Sequence, residues 1–286
     1  SHFEATIGDD GSINAWQNNI GLQSAAHSAM ARIMPVSFMI PKPKDDVSNI
    51  EGAAELPYDM GARVVSSGEA PLPLNVGFWR SVGSSQNAFF SECFMDECAH
   101  AAKQDPYQFR RASLKDKPRF RNVLDKVAEM SNWTTALGEG KYRGIALHKS
   151  FGSIVGQVAE ISKQGEKSFS IDKVYCVIDC GRIVNPDTIE AQMQSGIVYG
   201  LSAALYGEIT LDDGQVVQQN FPQYEMVRMN TSPTVAVHIM EVDEYPGGVG
   251  EPATPPAAPA LTNAIFAATG ERVRTLPLNK LGYTFV

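Results

Sequence analysis

A run of residues close to the C-terminal end constrains the chain most. Gly247-Gly248-Val249-Gly250-Glu251-Pro252 is followed by Pro255, Pro256 and Pro259. The glycines permit a tight backbone and close approach to a ligand. The prolines remove backbone donors and keep a helix from starting at the glycines. Residues 247–259 are therefore expected to form an irregular loop between a strand over 234–242 and a last helix over 260–269. Glu251 is the one carboxylate at the apex of the loop. It fits a helix-entry loop with an acid near the helix dipole. It equally fits a general base facing a pocket and tuned by partial desolvation. Gly248-Val249-Gly250-Glu251-Pro252-Ala253 also matches G-x-G-x-x-A formally, although no second parallel strand clearly follows to complete a βαβ unit.

The rest of the chain mixes helical and strand patterns. Residues 3–17 predict a hairpin around Asp10-Gly11, and residues 206–220 predict a second around Asp213-Gly214. Residues 21–34 are Ala/Met-rich and predict a short helix; residues 35–57 read as a loop. A buried helix is expected from a cap at Ser84 or Ser85, carrying Phe89, Phe90, Cys93, Phe94, Glu97 and Cys98. Asp105-Pro106-Tyr107-Gln108 has the form of a capping box with proline at the first helical position. A helix fits 118–132, and strands fit 144–161 and 169–178. A helix over 187–206 presents Ile189, Met193, Ile197, Leu201 and Leu205 on one face, with Asn185 as its cap. The expected class is α/β, with mixed α+β sheets and packed helices. Two lobes are expected, 1–140 and 141–286.

Composition narrows the function classes. There are 24 Lys+Arg against 32 Asp+Glu, a net charge of −8. That balance argues against a nucleic-acid binder, which needs basic excess to displace counterions. No apolar run approaches the roughly 20 residues of a membrane helix. The 4 cysteines include no CxxC pair, against a disulfide framework or structural zinc. The 5 histidines match no metal spacing. The chain opens Ser1-His2-Phe3-Glu4 without Met, as an excerpt or a processed chain would. Both cytoplasm and periplasm stay open.

Two further segments carry chemistry. Phe78-Trp79-Arg80-Ser81-Val82-Gly83-Ser84-Ser85-Gln86 joins an arginine, hydroxyls and an amide to a helix start, where N–H groups attract anions; a capped helix with a surface arginine fits as well. Gln192, Gly196 and Gly200 share one stripe of the 187–206 helix. Each internal glycine costs about 1 kcal/mol relative to alanine, so something approaches closely there, either another element or a cofactor bonded by Gln192.

In this order the motifs resemble those of the molybdenum hydroxylases, the xanthine dehydrogenase/aldehyde oxidoreductase family. Residues 78–86 are similar to that family's FRGxGxPQ segment. Asp179-Cys180-Gly181, Asn185-Pro186, Gln192, Gly196 and Gly200-Leu201 follow its DxGxxxNPxxxxxQxxGxxxxGL pattern. Gly248-Val249-Gly250-Glu251-Pro252 matches its GxGEP loop. The wording is nearest to the large, beta subunits of isoquinoline 1-oxidoreductase type, including residues 105–111 and Gln219-Asn220-Phe221. The resemblance runs from about residue 3 nearly to the end.

The resemblance implies a molybdenum cofactor-binding domain that oxidises an aldehyde or an N-heterocyclic carbon, with water as the oxygen source. Glu251 falls on the family's catalytic glutamate, a general base. Phe78, Trp79 and Arg80 fall where the family holds the pterin, Gln192 on a cofactor-contacting glutamine, and Gly250 in the cofactor-binding loop. Val82 falls in the substrate pocket, where xanthine enzymes carry an aromatic; its absence disfavours a purine. The cofactor implied is molybdenum-molybdopterin, with or without a cytosine nucleotide, and no protein side chain ligates the metal directly. The [2Fe-2S] clusters are expected on a partner subunit. The GGxFGG-type loop and the GQG-type segment are absent, and residues 143–146 run almost directly into 153–161 where other members insert a subdomain. The chain thus looks like the C-terminal part of such a subunit, unable to retain molybdenum alone. Its expected partners are the N-terminal remainder, a small [2Fe-2S] subunit and a small-molecule substrate. Two alternatives stand beside this reading. One is a nucleotide-dependent oxidoreductase using the 248–253 loop. The other is a non-catalytic module docking an iron–sulfur partner, with Glu251 capping a helix.

Overall fold

The computed structural model describes residues 1–34, 46–70 and 72–286. The predicted loop at 35–57 lies outside the described residues over 35–45. Two compact units divide the chain, Ser1–Pro118 and Arg119–Val286.

The first unit holds a mixed three-stranded sheet. Strands β1 (His2–Ile7) and β2 (Ile13–Leu22) form the predicted antiparallel hairpin. Gly11 supplies the positive φ of the turn, at +79°. Strand β3 (Ala62–Glu69) then adds parallel to β2. Helix α1 (Ala25–Ile33) is capped by Ser24, which accepts from the His27 N–H.

Helix α2 (Val82–Ala101) packs on the hairpin through Phe94, whose ring lies 4.9 Å from Phe3 and 5.0 Å from the buried Trp16. The helix starts earlier than a Ser84 or Ser85 cap would set it. Ser81 is the boundary residue, left-handed at φ +77°, and Val82 follows at φ +47°. Ser85 instead donates back to the Val82 carbonyl at 2.6 Å. Helix α3 (Pro106–Ala112) is capped as expected, Asp105 accepting from the N–H groups of Tyr107 and Gln108. It carries Arg110 into the core, where Nε donates to Glu92 at 3.0 Å and a second nitrogen donates to the Glu92 carbonyl at 2.8 Å. Tyr58 donates to the other Glu92 oxygen at 2.7 Å.

The second unit is a sheet between helical layers. Strands β4 (Lys141–Ser150), β5 (Ser153–Lys163) and β6 (Ser168–Asp179) are antiparallel neighbours. Residues 144–161 are thus two strands and a tight turn, with Phe151 at φ +53° and Gly152 at +80°. A left-handed pair suits a two-residue hairpin, but phenylalanine at its first position hides that signal. The predicted second DG hairpin forms as two short strands, β7 (Leu211–Asp212) and β8 (Gln215–Val216). Strand β9 (Thr234–Ile239) and the short β10 (Thr284–Phe285) run parallel to β6 along its other edge.

Helix α4 (Pro118–Met130) covers one face of this sheet, Val123 and Val127 coming against Gly156. Helices α5 (Pro186–Leu205) and α6 (Ala257–Thr269) cover the other. All five apolar residues predicted for the face of α5 are buried, and Asn185 caps it by accepting from the Thr188 N–H at 2.9 Å. Helix α6 begins at Ala257 rather than 260. Pro259 sits in its first turn, where a missing N–H breaks no helical hydrogen bond. Among the described residues, no helix is long and apolar enough to cross a membrane.

Candidate functional site

The loop that carries Glu251 is tied down on several sides. The Gly247 N–H donates to the Cys180 carbonyl at 2.8 Å, and the Gly248 N–H to the Phe151 carbonyl at 2.7 Å. The Ser153 hydroxyl donates to the Gly248 carbonyl at 2.6 Å. Beyond Glu251, the Gln157 carboxamide donates to the Ala253 carbonyl at 2.7 Å, and the Thr254 hydroxyl to the Gly196 carbonyl at 3.2 Å. Glu251 itself is half-buried, between exposed Gly250 and buried Pro252.

The stripe on α5 meets the same loop. A Cβ on Gly196 would stand 2.8 Å from the Ala253 Cβ, and one on Gly200 would stand 2.8 Å from the Thr254 carbonyl oxygen and 2.9 Å from the Ala257 Cβ. The close approach expected from the two helical glycines is therefore made by the segment just after Glu251. Gln192, half-buried, lies one turn earlier on that stripe. The structure thus brings the Gln192 helix face and the Glu251 loop together. Residues 251–256 separate the glycines from α6, so Gly248 and Gly250 do not form its first turn.

Asp179-Cys180-Gly181 buttresses the base of this arrangement. Arg119 grips Asp179 with a bidentate pair of bonds, 2.8 Å from Nε and 2.7 Å from a terminal nitrogen. The same carboxylate accepts from the Gly181 N–H at 3.0 Å. These bonds strengthen the hold of Arg119 on its proton, first through the hydrogen bond from its guanidinium to Asp179. Gly181 is left-handed at φ +70°, and a Cβ there would stand 2.3 Å from the Tyr245 carbonyl oxygen, so no larger residue fits.

Beneath the loop, the sheet face is polar in places. His148 and Ser150 pair across the strands with Val155 and Ser153, which puts them on the face that carries Ser153 and Gln157. His148 Nε2 and the Ser150 hydroxyl are buried without a hydrogen-bond partner. Burial pushes His148 down to about 4 and the Cys176 thiol, opposite Gln157, up to about 12.

Arg80 and its neighbours belong to the first unit. Phe78 and Trp79 are exposed, and Arg80 and Val82 half-buried. Ser81, at the start of α2, makes no side-chain cap, and the buried Ser84 hydroxyl has no partner. Sequence reasoning missed Ser153, Gln157 and Thr254. They lie 58 to 96 residues from the groups they bind, and no local pattern announces them.

Comparison with known proteins assigns the class. The family model described as "Molybdopterin cofactor-binding domain" matches residues 96–233. Gln192 lies inside that match; residues 78–82 and 250–251 lie outside it. The beta subunit of isoquinoline 1-oxidoreductase from Brevundimonas diminuta is 32% identical over 89% of this chain and 33% of its own length. A membrane-bound aldehyde dehydrogenase from Gluconacetobacter polyoxogenes, named for pyrroloquinoline quinone, is 30% identical over 77% of this chain and 32% of its own. In fold, quinoline 2-oxidoreductase from Pseudomonas putida 86 superposes with a TM-score of 0.73, at 13% identity, over 94% of this chain and 59% of that one. The chain belongs to the molybdenum hydroxylase family. It spans about a third of the length of the curated relatives it matches.

Proposed function

We propose that this chain is the C-terminal part of the large subunit of a molybdopterin-dependent hydroxylase. In this reading Glu251 is the general base, and the enzyme oxidises an aldehyde or N-heterocyclic carbon with water as the oxygen source. One observation carries the reading: the loop bearing Glu251 is locked against the α5 stripe that bears Gln192, with contacts too close for any side chain on Gly196 or Gly200.

The residues present fit the cofactor. Nothing lies within 4 Å of where a Cβ on Gly250 would stand, which leaves space on that side of the residue next to Glu251. The start of α2 offers the buried, unpartnered Ser84 hydroxyl and an N-terminus without a side-chain cap, both suited to polar or anionic pterin groups. Phe78, Trp79 and Arg80 stand beside these donors in sequence, and Arg80 adds a fork that suits such groups. When bound, molybdopterin supplies a redox metal that takes two electrons from the substrate carbon.

The chain's own residues would do the rest. Glu251, half-buried on a braced loop, accepts a proton from the water-derived oxygen donor; a positioned base of this kind contributes about 10²- to 10⁴-fold. Gln192 orients the cofactor through its carboxamide. Val82 gives the substrate pocket an aliphatic wall with no ring to stack on a purine. The [2Fe-2S] clusters on a small partner subunit would take up the electrons, and the N-terminal remainder of the large subunit would complete the cofactor site.

Metal and nucleotide analysis of the full-length complex tests the reading. It predicts about one molybdenum per large subunit, with Arg80→Ala lowering that content, and cytidine monophosphate released by acid if the pterin is a dinucleotide. A complex that carries a quinone and no molybdenum would overturn it.

A further inference from the structure

The two fully buried polar side chains of β5 both bind the loop that carries Glu251, one on each side of it. Ser153 holds Gly248, three residues before Glu251, and Gln157 holds Ala253, two residues after it. Both side chains are 0% exposed, in a strand segment whose other members are apolar or glycine. Burying a hydroxyl and a carboxamide in such a strand is unfavourable unless each is hydrogen-bonded; the Ser153 hydroxyl and the Gln157 amide N–H both bond to the loop, and the Gln157 Oε1 is buried without a partner. Residues four apart on a strand project from the same face, about 13 Å from one another, so the pair fixes both ends of a chord under the loop.

We propose that Ser153 and Gln157 are positioning residues: by fixing the Gly248 and Ala253 carbonyls they set where the Glu251 carboxylate stands. The inference rests on the reading of Glu251 as the base. The neighbouring backbone bonds, from Gly247 to Cys180 and from Gly248 to Phe151, fix only the entry to the loop. The exit is held by Gln157 and by Thr254, and losing Gln157 removes the bond that ties Ala253 to the sheet. A misplacement of about 1 Å is enough to cost on the order of 10²-fold in rate.

The test uses the full-length holoenzyme complex carrying Ser153→Ala, Gln157→Leu or Ser153→Thr. Amide exchange of the peptide spanning 247–254 is followed by mass spectrometry, alongside turnover of benzaldehyde and isoquinoline per bound molybdenum. Positioning predicts exchange in that peptide at least tenfold faster, with the rest of the sheet unchanged. It also predicts kcat down 10- to 100-fold with KM within twofold, and recovery in Ser153→Thr, which keeps the hydroxyl. Ser153→Ala removes one oxygen and keeps the variant set informative if Gln157→Leu does not fold. Unchanged exchange at 247–254, or faster exchange across the whole sheet with kcat per molybdenum unaltered, overturns the proposal. Glu251→Gln separates the two readings. An inactive Glu251→Gln beside fully active Ser153→Ala and Gln157→Leu removes the positioning role alone, whereas an active Glu251→Gln removes the base.

Discussion

Gly196 faces Ala253 so closely that a Cβ on the glycine would stand 2.8 Å from the Cβ of the alanine. Real Cβ atoms do not approach so near, and neither neighbour is the end of a flexible side chain. Alanine is favoured over glycine inside a helix by about 1 kcal/mol, but overpacking costs roughly 1–3 kcal/mol. Gly196→Ala is therefore expected to lower the thermal midpoint despite the better helix former, and Gly200→Ala to do the same against the Thr254 carbonyl. Thermal unfolding followed by circular dichroism reads this directly; a raised midpoint in either variant would show that the loop yields.

In the first unit, Arg110 forms a fully buried ion pair with Glu92, to which Tyr58 is bonded, and lies 3.6 Å from a second buried carboxylate, Asp96. Removing the cation leaves buried carboxylates uncompensated, at a cost of about 3–5 kcal/mol, whereas replacing a whole ionic cluster by apolar groups is often nearly neutral. Arg110→Met alone should be strongly destabilised in urea. The triple change Glu92→Leu/Asp96→Leu/Arg110→Met should recover most of that loss, and equal destabilisation in the single and triple variants would contradict it.

His148 supplies a pH prediction. Burial lowers its folded value from about 6.5 to about 4. Between these pH values the unfolded chain binds a proton that the folded chain does not, so stability falls as pH drops. The contribution is whole above pH 6.5 and lost progressively towards pH 4, on the order of a few kcal/mol. Urea midpoints from pH 7 to 4 should fall more steeply for the wild type than for His148→Phe; parallel curves would mean that the imidazole is protonated in the fold.

The elements that announced themselves did so through local chemistry. Helix α5 was legible because five apolar residues recur on one face, with Asn185 and Pro186 opening it. The hairpin of β1 and β2 was legible from Asp10-Gly11 between alternating runs. Strand β3 gave no such signal, since residues 62–69 are mostly exposed and end in Gly68-Glu69. Its parallel pairing with β2 is a long-range choice that no local pattern encodes. The start of α2 was hidden because Ser81 and Val82 take left-handed conformations rarely adopted by such residues. For the candidate site, the glycine stripe on α5 signalled that something comes close. That the visitor is the segment after Glu251 became visible only when residues some 58 positions apart were seen in contact.

The isolated 286-residue chain should hold little or no molybdenum after expression in a host that makes the cofactor. The motivation is twofold: it spans a third of its curated relatives, and the GGxFGG-type loop is absent from it. Elemental analysis of the purified chain against the full complex gives the comparison, and stoichiometric molybdenum in the isolated chain would refute the expectation.

The most direct measurement is steady-state turnover of the full-length complex carrying Glu251→Gln, normalised to its molybdenum. This change removes the carboxylate while keeping size and hydrogen-bonding capacity. A general base at this position predicts kcat lower by about 10²- to 10⁴-fold with molybdenum content unchanged. Turnover within a few-fold of wild type, with the cofactor in place, would mean that Glu251 only braces its loop.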